Sequence, residues 1–181
     1  MTLNVSHSGS VSDAVARVVP ELVSQKVASR IFAKDHTLWG KDAESESAIR
    51  LGWVDAATKS LALIPELKKL QSELSSQGLT RVVLCGMGGS SLAPEVIAKT
   101  AGKELLVLDS TDPSQVSAAL SGDLSKTVVV VSSKSGSTVE TDSQKRSFEA
   151  AFEAAGIEKT SRIFIVTDPD SPMHKQATAD G

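Results

Sequence analysis

Residues 128–141 read VVVVSSKSGSTVET, and this stretch decides the fold. Four consecutive valines, apolar without alternation, are the pattern of a strand buried on both faces. Ser132 to Ser137, with Gly136 among them, break the run as a tight turn. A helical period follows to about Ala155, with Phe148, Ala151, Phe152 and Ala155 expected inward and Gly156 as its stop. The turn also carries chemistry. Ser132, Ser133, Ser135, Ser137 and Thr138 surround one cation, Lys134, at a helix start. There the unpaired N–H groups and roughly half a positive charge favour an anion. Gly136 is expected to let the backbone come close to a ligand. Ser/Thr-rich turns also cap helices with no ligand involved, but capping does not call for Lys134.

The same grammar recurs on either side. Val82 to Cys85 is a second apolar run, followed by GMGGSSLAPEV, Gly86 to Val96, a glycine-rich turn opening a helix with Pro94 expected in its first turn. Leu105 to Leu108 is a third run, ending at Asp109 and turning into a helix over Ser114 to Leu120; Arg162 to Val166 is a fourth, before TDPDSPMHK turns into a last short helix. Four buried strands alternating with helices predict an α/β fold: a three-layer αβα parallel sheet, Rossmann-like, with right-handed crossovers. Such sheets bind ligands at the strands' carboxyl ends, where the strand order reverses. Gly86–Ser91, Asp109–Asp112, Ser132–Thr138 and Thr167–Ser171 all fall on that edge, so two helix-opening loops can converge on one anion.

Ahead of the strands lies a helical segment, residues 1–80, expected to pack against the α/β domain of residues 81–181. Its first ten residues are Ser-rich and expected to be disordered. Val11, Val15, Val18 and Leu22 follow at helical spacing, with Ser12 or Asp13 as cap and Pro20 as a kink or restart. Asp35 to Gly40 reads as a loop. A helix from near Asp42 carries Ile49, Leu51 and Trp53, and another shows Leu63, Leu67, Leu70 and Leu74 and stops at Gly78.

Composition removes several function classes. With 181 residues, 40% of them hydrophobic, the chain can bury a core. The formal net charge of −3 and the absence of a Lys/Arg run argue against nucleic acid as partner, and four Phe, two Trp and no Tyr make a base-stacking surface hard to build. Cys85 is the single cysteine, so no internal disulfide forms and a reducing cytoplasm fits; its place in a strand predicts a buried structural thiol. The start has no signal-peptide layout, and no apolar stretch reaches the roughly 20 residues a bilayer needs, so a soluble, cytoplasmic protein with no membrane partner is expected. His7, His36 and His174 are scattered, and neither a metal nor a cofactor is expected.

A dinucleotide fold is the rival reading. Gly86 and Gly88 begin Gly-x-Gly and Asp109 lies about 20 residues on, where a ribose-binding acid belongs. The third glycine fails, since position 91 is Ser91, and a nicotinamide site does not require a Ser/Lys/Thr turn after the third strand. No Walker P-loop occurs, and no Gly-x-Ser-x-Gly elbow.

Taken together, GMGGSSLAPEV and SSKSGSTVET resemble the sugar isomerase (SIS) domain, and more narrowly the phosphoglucose isomerase family. The sugar isomerase signature Ser-x-Ser-Gly-x-Thr-x-Glu is complete from Ser133 to Glu140. ASRIFAKDHTLWG, residues 28–40, and RLGW, Arg50 to Trp53, look like the actinobacterial form related to a transaldolase fusion. The resemblance runs from about Ala14 onward. It implies that the phosphate of glucose 6-phosphate or fructose 6-phosphate is held by Ser90, Ser133, Lys134, Ser135 and Thr138, with Gly88 and Gly89 letting the substrate approach. One departure bears on substrate range: the family commonly has Thr at 135 and a bulky residue at 136, where this chain has Ser135 and Gly136.

Aldose–ketose isomerisation needs ring opening and then a base that moves a proton between C2 and C1 through an enediol. The family's glutamate base, ring-opening histidine, Gly-Gly-Arg arginine and late lysine all lie beyond residue 181. The resemblance therefore implies a truncated piece with no catalytic residue of its own: the phosphate-binding half of a glucose-6-phosphate isomerase, inactive alone, from a protein that is a homodimer at full length. Glu95 and Glu140 are the carboxylates nearest the loops, and both read as helix residues. The alternative is a non-catalytic sugar-phosphate-binding or regulatory module.

Overall fold

Six residues of unbroken β-propensity, TVVVVS, form the strand Thr127–Ser132 at the centre of the sheet. The structure is a computed structural model and describes residues 5–180; the first four residues of the Ser-rich start, expected to be disordered, lie outside the described residues. The chain divides into two compact units, one up to residue 68 and one from residue 69 on.

The first unit is helical. Helix α1 (Ser10–Ser24) continues through Pro20 without the restart that was the alternative to a kink there, and it is opened by Gly9, whose carbonyl accepts from the amides of Ser12 and Asp13. Helix α2 (Val27–Phe32) follows. The expected loop at Asp35 to Gly40 is a 3₁₀ turn, His36–Trp39, because the Asp35 carboxylate caps it by accepting from Thr37 N at 3.0 Å. Arg30 closes on the same carboxylate at 2.6 Å. Helix α3 (Glu44–Arg50) stops short of Leu51 and Trp53, which lie on a 3₁₀ turn, Leu51–Asp55, before α4 (Ala56–Ser60). Lys34 and Lys59 both bind the carboxylate of Asp55, at 2.6 and 3.1 Å. Helix α5 (Ile64–Ser76), which runs across the boundary at residue 68, is the predicted leucine-striped helix with Leu67, Leu70 and Leu74, while Leu63 lies on the 3₁₀ turn before it; Gly78 follows at φ 75°.

In the second unit the strands are β1 (Arg81–Gly86), β2 (Leu106–Leu108), β3 and β4 (Ile163–Val166), with β3 the central strand introduced above. All pair in parallel, in the order β2-β1-β3-β4. Helices α6 (Gly89–Thr100), α7 (Pro113–Leu120), α8 (Val139–Ala154) and α9 (Pro172–Asp180) alternate with them. This is the expected α/β architecture. Parallel strands covered on both faces need apolar side chains on both: Val83, Cys85, Val129 and Val131 on one face are fully buried, and Leu84 and Val128 on the other are buried as well. Phe148 and Phe152, one turn apart on α8, complete the core with ring centroids 6.2 Å apart.

Three boundary expectations are corrected. Pro94 lies in the second turn of α6, because the helix already starts at Gly89 behind Gly88. Arg162 stays outside β4, since its amide closes a turn on Lys159 O and its guanidinium donates to Ser125 O at 3.0 Å. Ala155 is exposed: it caps α8, and the amide of Ile157 reaches back to Phe152 O at 2.8 Å, a Schellman closure.

Candidate functional site

The chain leaves β1 sideways to β2 and returns on the other side of β1 to lay down β3, so the strand order reverses between β1 and β3. In open α/β sheets such a switch point, at the carboxyl ends of the strands, is where ligands bind. Gly86 and Ser132, the last residues of those strands, are register partners. The glycine loop and the serine turn therefore leave the sheet side by side.

The glycine loop is held by its own backbone. Gly88 sits at φ 56°, a region open to glycine, and its carbonyl accepts from the amides of Ser91 and Leu92 and from the Ser91 hydroxyl at 3.0 Å. Gly88 and Gly89 are exposed and Ser90 is half-buried, with no hydrogen bond to its hydroxyl among the described residues. No side chain caps α6; the amides of Ser90 and Ser91 are taken by Met87 O and Gly88 O, and of the first three only Gly89 N has no hydrogen bond among the described residues.

The serine turn divides its polar groups between inside and outside. Ser133 is 2% exposed; its hydroxyl donates to Thr138 Oγ1 at 3.0 Å and accepts from Gly136 N at 3.2 Å. Its proton is thus spent within the turn, and in exchange the Thr138 hydroxyl is left to donate elsewhere. Ser135 is exposed, and its oxygen accepts from the amide and hydroxyl of Ser137, which also leaves its proton free. Lys134 is exposed and makes no ion pair among the described residues. Thr138 stands at the N-cap of α8 without capping it, so the helix's first-turn amides are open as well. Ser90, Lys134, Ser135 and Thr138 thus keep unspent donors on adjoining loops, an arrangement able to bind an anion with several oxygens. Ser133 supports it from behind.

Gly136 differs from its expected part. It is buried at φ 64°, and a methyl group on it would lie 2.6 Å from Ser171 Oγ and 2.8 Å from Ser171 Cβ. The close approach it permits is to the start of α9.

The remaining titratable groups fall into place around this edge. Asp112 caps α7 by accepting from Ser114 N and Gln115 N, and the Ser114 hydroxyl holds its carboxyl below the usual range. Glu95 is paired with Lys99 on the surface of α6, and Glu140 is exposed in the first turn of α8. Burial pushes the Cys85 thiol up to about 12, so it is inert as a nucleophile at neutral pH. His174 accepts from Asp170 N through Nδ1 at 3.0 Å. Among the described residues no group of His, Cys, Asp and Glu is arranged to hold a metal, and no helix is long and apolar enough to cross a membrane.

Gln144 escaped the sequence reading. It is 1% exposed, and its amide donates to Ser110 O at 3.1 Å, tying α8 to the loop after β2. The signal was its spacing: Gln144, Phe148 and Phe152 lie on one helical stripe, where a polar residue needs a buried partner.

No protein-family model matches the chain. It is 34% identical over 110 residues to a glucose-6-phosphate isomerase of Synechococcus sp. (strain JA-3-3Ab), a match covering 56% of this chain and 21% of that protein. It is 37% identical over 109 residues to the glucose-6-phosphate isomerase of Citrifermentans bemidjiense, covering 56% of this chain and 21% of that protein. Over that stretch the chain is similar to glucose-6-phosphate isomerases. Among solved structures, a hypothetical protein from Thermus thermophilus matches 94% of this chain and 39% of its own, at a TM-score of 0.66 and 26% identity. A glucose-6-phosphate isomerase from Chlamydia trachomatis matches 79% of this chain and 28% of its own, at a TM-score of 0.57 and 26% identity. The chain spans about a fifth of the length of the curated relatives it matches.

Proposed function

We propose that this chain is the sugar-phosphate-binding half of a glucose-6-phosphate isomerase. The phosphate of glucose 6-phosphate or fructose 6-phosphate sits between the glycine loop and the serine turn. Ser90, Ser135 and Thr138 donate hydroxyl hydrogens to it, and Gly88 and Gly89 offer open backbone. Lys134 supplies the countercharge, and Ser133 acts through Thr138. The observation that carries this reading is the Gly86–Ser132 register, which sets two uncapped helix starts beside each other at the point of strand reversal.

Proton transfer is not assigned to any residue of the chain. Glu95 is spent on Lys99, and Glu140 faces solvent at the same helix start that would hold the phosphate. The division at residue 80 into a helical segment and a sugar isomerase domain, a homodimer at full length and a cytoplasmic setting belong to the same reading. The engagement of Glu95 by Lys99 equally favours a second reading, a non-catalytic sugar-phosphate-binding module.

Calorimetric titration with fructose 6-phosphate tests the cradle. Binding is expected, and Lys134→Ala should weaken it by on the order of tenfold or more, the worth of a charged hydrogen bond. Unchanged affinity in that variant refutes the phosphate assignment. In a coupled assay the chain should show no isomerase turnover, and turnover by the natural full-length protein separates the enzyme from the binding module.

A further inference from the structure

We propose that Ser171 is a positioning residue for the anion-binding turn, acting through Gly136 and the Lys134 carbonyl without touching the ligand; this rests on the phosphate reading above. The loop between β4 and α9 grips the turn at successive points. Ser133 N donates to Val166 O at 3.0 Å, and Lys134 O accepts from Asp168 N at 3.2 Å and from the Thr167 hydroxyl at 3.4 Å. Ser171 is 8% exposed and lies 2.9 Å from Thr167 through its hydroxyl, which also accepts from His174 N at 3.0 Å. Every proton in this set finds an acceptor in one order only. His174 N–H donates to Ser171, Ser171 O–H to Thr167, and Thr167 O–H to the carbonyl of Lys134. The polar chain thus ends on the backbone of the residue that carries the cradle's cation.

Ser171 also sets the space at Gly136. A methyl there would press on Ser171 Oγ and Cβ and lie 3.0 Å from Met173 Cβ, so the size allowed at position 136 is dictated by the start of α9 and not by the ligand. Lys134 and Ser135, the two residues just before the turn's contact with α9, remain exposed. A turn pinned on its inner side presents its outer donors in one geometry, which spares the ligand the entropy of ordering them.

The test is a double-mutant cycle read as fructose 6-phosphate affinity by calorimetry, with melting temperatures measured alongside. Gly136→Ala should weaken binding by about tenfold, and the same change in a Ser171→Gly background by less than about threefold, because the obstructing Cβ is gone. Ser171→Ala should weaken binding by about threefold at a similar melting temperature, since only the polar chain is cut. Equal losses from Gly136→Ala in both backgrounds, or a Ser171→Ala variant that melts lower with unchanged affinity, overturn the proposal. If Gly136→Ala alone does not fold, a folded and binding Gly136→Ala/Ser171→Gly protein supports it, and a double variant that also fails overturns it. A wild-type chain that binds neither fructose 6-phosphate nor inorganic phosphate overturns the phosphate reading together with this one.

Discussion

Gly86 and Ser132 end adjacent parallel strands as register partners, and a methyl group on Gly86 would lie 3.2 Å from the Ser132 carbonyl oxygen and 3.3 Å from Ser90 Cβ. Gly86 thus touches both loops of the candidate site at once. Gly86→Ala should destabilise the protein by about 1–3 kcal/mol, the usual cost of overpacking, and should weaken fructose 6-phosphate binding as it pushes the loops apart. Urea unfolding and calorimetry on the same preparation check both parts.

Ser133 and Ser135 flank Lys134 and should respond differently. Ser133→Ala removes the donor that orients Thr138 and one of two acceptors for Gly136 N, the other being the Ser133 carbonyl at 3.1 Å. It should cost about 0.5–1.5 kcal/mol of stability and also lower sugar-phosphate affinity. Ser135→Ala, at an exposed position, should leave stability within about 0.5 kcal/mol and reduce affinity alone. Thermal melts paired with titrations distinguish the buried role from the exposed one.

Phe148 is fully buried against Phe152 beneath the sheet. Phe148→Ala should lose about 3–5 kcal/mol, enough to leave the α/β unit marginal. Denaturant midpoints measure it.

In the helical unit, the Thr37 hydroxyl and then Arg30 hold the Asp35 carboxyl down from 3.8 to about 2. An acid depressed by folding stabilises the native state above its unfolded value and loses that contribution as pH falls through the folded one. The loss should therefore fall between pH 3.8 and about 2. Asp35→Asn should flatten this part of the melting-temperature profile, and a carboxyl titration followed by NMR should report the low value directly.

The sequence alone determined the sheet and which turns lie at its carboxyl edge, where the candidate site is drawn. Unbroken apolar runs such as Val128 to Val131 are stable only when covered on both faces, and a glycine or serine turn after each can open only at the strands' carboxyl ends. Local pattern also located the open donors of Ser90, Lys134, Ser135 and Thr138 on those turns. It was silent on what each turn rests against. Gly136, read as room for a ligand, is room for Ser171, and Ser133, read as a ligand contact, is buried beneath Thr138. The first of these came from tertiary structure alone, because it depends on a contact between residues some 35 positions apart, brought together when β4 pairs with β3. The second also needed the folded chain, since it shows only once the turn is closed by Ser133 on Thr138 and its amide is bonded to Val166 at the end of β4. No periodicity within the turn carries that information.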